Sequence, residues 1–321
     1  MTNIDISKRV LDLISQDSAF AIIRRPGQSQ MELFSGESCN DIIITPSRGC
    51  IKDCQWQVPS EPIGKETYCH GIDNLATELK SNGGKSVICR NICGTFKRFA
   101  PLDMFLAYEK KFPQDLAFLF YIPGRNFWMG ASPELVLSTT DFHVFHTAAL
   151  AGTRPSGQKE SAWSSKNIKE HQIVADGICN NLMSAGYSVD KAETITVNYG
   201  SEIQHLRTAI TATAPDYSEQ RFHNIIDLIH PTSAIWGFPL AQADNHISNL
   251  EKYPRQYYSG IISYKHDYGQ SAYAILRCVN FNRQRWAIYT GSGITAASQG
   301  YDEWLETESK AIPLVDILTQ F

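Results

Sequence analysis

Three charged side chains near the C-terminus, Glu303, Glu306 and Lys310, have a spacing that could build one site. On a helix they would share a face, because they stand three and four residues apart. They follow Gly291-Ser292-Gly293, which predicts a glycine-rich turn. Two carboxylates and an ammonium beside such a turn suit a divalent metal ion that holds an acidic substrate. A solvated helix with a Glu/Lys ladder has the same pattern, so this segment alone leaves both interpretations open.

Other short motifs place polar or small residues beside apolar runs. In chain order they are KSVICR at 85–90, GASPEL at 130–135, LAGT at 150–153, KEH at 169–171, HLRT at 205–208, HPTSAIWGFP at 230–239 and Arg277. The segment at 291–293 and the Glu303 helix complete the series.

In this order the motifs resemble those of the chorismate-utilising enzymes, which include isochorismate synthase, salicylate synthase, and the large subunits of anthranilate and aminodeoxychorismate synthases. The resemblance extends from about residue 85 to the C-terminus, the recognisable core at 85–321. It implies an α+β fold: one catalytic domain, residues 1–321, of two stacked, largely antiparallel sheets flanked by helices, with the active site between them. Residues 1–80 match an abbreviated N-terminal segment. In the anthranilate branch that segment helps to build an amino-acid feedback site, so we do not expect such regulation here.

The resemblance also implies a reaction on chorismate, whose ring bears two carboxylates and a hydroxyl. A nucleophile adds to the ring and hydroxide leaves from the far side, which requires a base and an acid. Lys85 matches the lysine that activates water, and Glu134 matches the acid. These roles need a lowered pKa for the lysine and a raised pKa for the glutamate. Base rates alone would predict exposed side chains at both positions.

The resemblance implies Mg²⁺ as cofactor, with Glu170 and Glu306 as ligands and Glu303 acting through water. Carboxylate oxygens are the ligands that Mg²⁺ prefers, so we expect His171 to orient its neighbours and not to bind the metal. The residues expected to bind substrate are Gly152, Thr153, Ala234, Tyr258, Leu276, Arg277, Gly291, Ser292, Gly293 and Lys310. Among them, Arg277, Tyr258 and the amides at 291–293 would hold the pyruvyl carboxylate, and Lys310 would balance charge near the metal.

A zinc site is a weaker hypothesis for Cys39, Cys50, Cys54, Cys69 and His70. The spacing of Cys50 and Cys54 differs from the usual C-x-x-C knuckle, so we do not expect zinc there. The eight cysteines in a chain of this length predict reduced thiols, most of them buried.

Two alanines separate members of the family. Ala151 stands where aminodeoxychorismate synthases that use a lysine nucleophile have that lysine. Ala234 stands where members that use ammonia or eliminate pyruvate generally have threonine, whereas isochorismate synthases generally have alanine. The resemblance therefore favours isochorismate synthase, with menaquinone biosynthesis preferred over siderophore biosynthesis. Salicylate synthase and a catalytically silent chorismate-binding protein are the alternatives, and Arg207 has no assigned role.

Bulk properties restrict the partners. The chain has 321 residues, of which 43% are hydrophobic and 19% charged, and a net charge of −4. This composition is typical of a soluble globular protein and gives no electrostatic reason to expect nucleic acid or an anionic membrane. Residues 1–19 mix charged and aliphatic side chains without the apolar centre of a signal peptide. We expect a cytoplasmic protein, a monomer, whose partner is its small-molecule substrate.

The elements that position these residues follow from periodicity. Apolar residues at helical spacing predict helices at 4–14, 75–81, 168–182 and 222–229. Apolar runs between turn residues predict strands at 20–24, 116–121, 127–130, 135–139, 143–150, 258–264, 271–279 and 285–289. Successive hairpins of this kind indicate an antiparallel sheet with helices packed outside.

Overall fold

The computed structural model describes residues 3–48, 56–156, 163–199 and 203–321. The helices in these ranges are α1 (Asn3–Ser15), α2 (Lys65–Asn82), α3 (Pro101–Lys111), α4 (Ser165–Ser184), α5 (Gln220–Ile229), α6 (Leu240–Leu250) and α7 (Gly300–Leu318). A 3₁₀ helix covers Gly36–Asp41. None of the helices in the described ranges combines the length and the apolar character that crossing a bilayer requires.

The strands of the described ranges form two sheets. The first sheet has the order β12 (Gly237–Phe238), β4 (Lys85–Thr95), β16 (Arg285–Ile294), β15 (Cys278–Phe281), β6 (Phe127–Ser132), β5 (Leu116–Tyr121), β1 (Phe20–Arg24) and β2 (Met31–Phe34). The second has the order β10 (Ile195–Tyr199), β11 (Ile203–Thr213), β8 (Val144–Pro155), β7 (Leu135–Thr139), β14 (Gly269–Ala274), β13 (Ile261–His266) and β3 (Ile42–Thr45), and β9 (Ser188–Lys191) also pairs with β11. The pairings are antiparallel, which confirms the predicted fold class.

The two sheets pack face to face, and helices cover their outer faces. Between the sheets, Phe118 and Trp128 of the first share one apolar cluster with Ile262 of the second. Helices α1, α3 and α7 pack outside the first sheet, and α4 and α5 outside the second. β5 is therefore buried on both faces, which explains its unbroken apolar sequence LAFLF.

Most predicted elements are confirmed, several to the residue, including β1, β5 and β7. Three predictions need correction. The helix predicted at 75–81 is the end of α2, which begins at Lys65. The strand predicted at 271–279 is two strands in different sheets, β14 and β15, because the chain crosses between the sheets at 275–277. The segment 291–293 is part of β16 and not a turn.

Candidate functional site

A cavity of about 140 Å³ lies between β16 of the first sheet and β8 and β11 of the second, and α4 and α7 complete its walls. Many predicted site residues line it: Glu134, Gly152, Thr153, Glu170, Ala234, Tyr258, Leu276, Arg277, Gly291, Gly293, Glu306 and Lys310. The predicted residues missing from the lining in the described part of the chain are Lys85, Ser292 and Glu303. The fold thus gathers residues from distant segments around one space.

Lys85 is the first residue of β4, and its side chain is 0% exposed. The exposed lysine expected from base rates is therefore wrong. Its Nζ lies 2.8 Å from Oε1 of Glu170 on α4, and within the described residues Nζ makes no hydrogen bond of good geometry. Lys85 reaches Glu170 beside Gly293, where a Cβ would lie 2.3 Å from Glu170 Oε1 and 2.8 Å from Lys85 Cε. Glycine at 293 therefore makes room for the ion pair next to the cavity.

A second buried ion pair holds β4 in place. Arg255 donates from Nη2 to the carbonyl of Val87 at 2.6 Å and pairs with Glu251, whose Oε1 accepts the amide of Cys89 at 2.8 Å. These bonds satisfy backbone groups on the edge of β4 beyond its short pairing with β12. Sequence reasoning missed this support for Lys85. The only signal was the i,i+4 spacing of Glu251 and Arg255.

Glu134 lies between β6 and β7, where the chain passes from the first sheet to the second. Its side chain is buried, and the hydroxyl of Thr232 donates to Oε1 at 3.4 Å. Burial raises the pKa of Glu134 to about 7, although Lys85 and Lys310 oppose this rise. Near neutral pH the group can therefore hold a proton, as a general acid must.

The three carboxylates predicted to serve the metal each pair with a lysine. Lys85 lies against Glu170, Lys310 donates to Glu306 at 2.7 Å, and Lys166 donates to Glu303 at 2.5 Å. Burial and the neighbouring Glu306 raise the pKa of Glu303. Burial alone would raise the pKa of Glu306. The ammonium of Lys310 acts in the opposite direction, and this pKa lies below its ordinary value. Lys166 was not identified from the sequence.

The metal hypothesis can be tested for chemical fit on these residues. Within the described ranges, no group of three or more His, Cys, Asp or Glu side chains is arranged to hold a metal ion. However, the buried Oε2 of Glu303 makes no hydrogen bond of good geometry in those ranges, although the nearby Ser298 side chain interacts with this carboxyl, and its Oε1 is held by a cation. All the donors of the cluster are carboxylate oxygens, which suits a hard cation such as Mg²⁺. The donor chemistry of these carboxylates therefore suits Mg²⁺.

The zinc hypothesis gains no geometric support from the thiols that are described. Cys39 and Cys69 are free thiols, and His70 contacts Asn74 Nδ2 at 3.1 Å. Cys50 and Cys54 lie outside the described residues.

The cavity presents cations and backbone donors to an anionic ligand. Arg277, at the crossing between the sheets, has a positive φ of 42°, and its Nη1 lies 2.6 Å from Asp115 Oδ2. Burial raises the pKa of Asp115 to about 6, although Arg277 opposes the rise. Lys310 also donates to the carbonyl of Gly291 at 3.0 Å. That carbonyl points away from β4, and the amide of the same residue points the same way in an antiparallel strand.

The side chain of Ser292 lies outside the cavity, so the predicted contribution of this residue stays with its backbone amide. Side chains alternate along a strand, so the neighbours Gly291 and Gly293 face the cavity while Ser292 points to the other side. There its Oγ lies 3.2 Å from the hydroxyl of Tyr68. A Cβ at position 291 would lie 3.0 Å from the Tyr258 hydroxyl, so glycine allows Tyr258 to reach this wall.

The opposite wall contains a β-bulge. Gly152 is the unpaired residue where the register of β8 and β11 shifts, and its φ of 76° is one that glycine adopts without strain. His205 contacts the Gly152 carbonyl with Nδ1 at 3.1 Å and lines the cavity. Burial lowers the pKa of His205 to about 3, with Lys310 and Arg277 acting in the same direction. The imidazole is therefore neutral at physiological pH. The HLRT motif marked this histidine, but the sequence did not indicate its place in the cavity.

His171 lies outside this set of lining residues. It is buried and its Nε2 lies 2.7 Å from the hydroxyl of Thr208 on β11. This contact ties α4 to the second sheet and so helps to position the neighbouring Glu170.

Residues 56–316 match the family model described as chorismate binding enzyme. Isochorismate synthase MenF of Haemophilus influenzae is 28% identical over 268 residues, which are 80% of this chain and 61% of that protein. The corresponding protein of Pasteurella multocida is 29% identical over 283 residues, with 81% and 63% covered. The chain thus spans about three fifths of the length of these curated relatives.

Two solved structures share the fold. The putative 2,3-dihydroxybenzoate-specific isochorismate synthase of Bacillus anthracis superposes with a TM-score of 0.73 at 18% identity, covering 98% of this chain and 88% of the other. The menaquinone-specific isochorismate synthase MenF of Escherichia coli gives a TM-score of 0.71 at 21% identity, covering 99% and 83%. At these identities the similarity demonstrates the shared architecture alone.

Proposed function

Because the chain belongs to the chorismate binding enzyme family, we propose that it is an isochorismate synthase, an isomerase that moves a hydroxyl group on the chorismate ring. The observation that carries this proposal is the pair of ionisable groups beside one cavity. The buried Lys85 contacts Glu170, which lines this cavity. Glu134 lies in the cavity wall, and its pKa is raised to about 7. The names of the curated relatives support the same reaction.

In the proposed reaction Lys85 is the base and Glu134 the acid. The Nζ atom of Lys85 takes a proton from a water molecule whose oxygen bonds to the ring. The double bonds shift, the ring hydroxyl leaves, and Glu134 transfers its proton to that group so that it departs as water. One water enters and one leaves, so the product is an isomer of the substrate. Burial of Glu134 suits this task because it keeps the carboxyl partly protonated near neutral pH.

We propose that Mg²⁺ is held by Glu170 and Glu306, with Glu303 beside them. When bound, the ion would supply positive charge next to a substrate carboxylate. Arg277 and the backbone donors of Gly291 would hold the other carboxylate, since both face the cavity.

Ala234 supports isomerisation over the alternatives. Its methyl group lines the cavity and offers no hydroxyl to orient ammonia or to assist loss of the pyruvyl group. We therefore propose water as the nucleophile and isochorismate as the released product. For the pathway we propose menaquinone biosynthesis, because the relatives from Haemophilus influenzae and Pasteurella multocida share the name MenF with the menaquinone-specific enzyme of Escherichia coli. A siderophore role is the alternative, since a vibriobactin-specific isochorismate synthase is 28% identical over 288 residues.

Product analysis tests this proposal. The purified protein is incubated with chorismate and either Mg²⁺ or EDTA, with and without ammonium, and the products are separated by liquid chromatography. We expect a mixture of chorismate and isochorismate with Mg²⁺ and no conversion with EDTA. A lactate dehydrogenase assay measures pyruvate in parallel. Stoichiometric pyruvate with salicylate would establish the salicylate synthase alternative, and no conversion under any condition would reject an enzymatic role on chorismate.

A further inference from the structure

Lys166 occupies a position that the stability of its own helix does not explain. It is the second residue of α4, and a cation in the first turn opposes the helix dipole. Its Nζ donates to Glu303 Oε1 at 2.5 Å, and the Glu303 side chain is only 1% exposed. The contact with a buried carboxylate therefore explains the position of this lysine.

Lys166 acts on the whole carboxylate cluster. Besides its contact with Glu303, its ammonium also interacts through charge with Glu306 and Glu170. One ammonium thus lies within electrostatic reach of the three carboxylates that the proposed function assigns to the metal.

The three lysines that pair with these carboxylates differ in how easily the ammonium group can move away from its partner. Lys85 is completely buried, and Lys310, although 28% exposed, is held by a second hydrogen bond to the carbonyl of Gly291. Lys166 is 24% exposed, and in the part of the chain that the structure describes Glu303 is its hydrogen-bonding partner. A flexible lysine with access to solvent can move its charge into water at low cost.

We propose that Lys166 is a built-in counter-cation, which neutralises Glu303 in the metal-free protein and must withdraw when a divalent metal binds. An ammonium and a divalent ion on one carboxylate repel each other, so each weakens the binding of the other. Lys166 therefore acts through Glu303 and sets the metal affinity by competition. This inference rests on the proposed function for the metal's location.

The test measures metal binding without substrate. Mn²⁺ replaces Mg²⁺ as the probe, and electron paramagnetic resonance counts the free Mn²⁺ in titrations of the full chain. Lys166→Met removes the charge but keeps an unbranched side chain. We expect its Kd for Mn²⁺ to fall about tenfold or more. Lys166→Arg keeps the charge, so its Kd should stay within about threefold of the wild-type value.

The matched control is Lys169→Met, three residues along α4, where the lysine is exposed. It removes the same charge from the same helix and should leave the Kd unchanged. Thermal unfolding gives a second readout. Without metal Lys166→Met should melt below wild type, because Glu303 then lacks its counter-cation, and added Mn²⁺ should raise its melting temperature more than that of wild type.

The outcomes separate this inference from the proposed function. An unchanged or higher Kd for Lys166→Met rejects competition, whatever the wild-type protein does with chorismate. A tenfold lower Kd in a protein that does not convert chorismate supports the counter-cation and rejects the proposed reaction. If wild type and Lys166→Met both fail to bind Mn²⁺, the counter-cation is rejected, and activity in EDTA then decides whether the reaction survives without metal.

Discussion

Replacing Glu134 with glutamine should separate the catalytic and energetic consequences of a buried acid. The pKa of Glu134 is raised by burial from 4.5 to about 7. Each pKa unit corresponds to about 1.36 kcal/mol, so the rise from 4.5 to about 7 means that ionised Glu134 lowers the free energy of unfolding by up to about 3.4 kcal/mol. Glutamine has nearly the same shape as glutamate and cannot ionise, so Glu134→Gln removes this cost of ionisation from the folded protein.

The sign of the stability effect follows from linkage. A carboxyl group with a raised pKa in the folded state holds its proton more tightly there than in the unfolded chain. The wild-type protein therefore loses stability, relative to Glu134→Gln, as the pH rises from about 4.5 to about 7. We expect the variant to be more stable at pH 8 by about 2–3 kcal/mol and the difference to disappear below pH 4.5. Urea unfolding at a series of pH values measures it.

The same group should shape the activity profile. The protonated fraction of a group with a pKa of about 7 falls about tenfold between pH 6 and pH 8. We therefore expect the kcat/KM of isochorismate formation to decline above about pH 7 in the wild-type enzyme. The Glu134→Gln variant should not show this decline, and its kcat/KM should be about 10² to 10⁴ times lower than that of the wild-type protein.

Glu193→Gln is the matched control, because Glu193 is exposed and should affect neither measurement. The reasoning would be refuted if Glu134→Gln kept the alkaline decline, since another group would then supply the proton. It would also be refuted if wild type gained stability relative to the variant between pH 5 and pH 8.

Three further outcomes are expected. Lys85→Ala should lower kcat by about 10² to 10⁴ with a much smaller change in KM, and an active variant would place the base elsewhere. Glu306→Ala should lose Mg²⁺ binding in calorimetry yet remain folded by circular dichroism, because its side chain is 26% exposed and a partly exposed ion pair adds little to stability. Unchanged metal binding in this variant would exclude Glu306 as a ligand. Gly293→Ala should reduce activity strongly, because the new Cβ would lie 2.3 Å from Glu170 Oε1. Its control Gly64→Ala, where the nearest atom is 3.8 Å away, should retain full activity in the same assay.

Elements with local causes could be predicted from the sequence. The apolar stripe of α5 and the continuous apolar run of β5 depend on residues within a few positions of each other. The run at 271–279 shows where such reasoning ends. Its apolar pattern continues through Ile275 and Leu276, although the chain there leaves one sheet and enters the other. Sheet membership depends on distant partners, which local periodicity does not contain.

The candidate site divides in the same way. The order of the motifs that contain Lys85, Glu134, Glu170 and Glu306 carried the family resemblance, and that resemblance implied an acid, a base and a cation site. Lys166 could not be predicted as a site residue, because nothing near it in the chain distinguishes it from a surface lysine. Its partner Glu303 lies on another helix, more than a hundred positions away.

The sequence by itself determined the antiparallel fold class and named the candidates for acid, base and metal chemistry. Only the tertiary structure decided their state. It buried Lys85 against Glu170, raised the pKa of Glu134 to about 7, paired Arg277 with Asp115 and turned Ser292 away from the cavity. The physical reason is that a pKa and an ion pair depend on burial and on nearby charges. Both are created when segments far apart in the chain pack together.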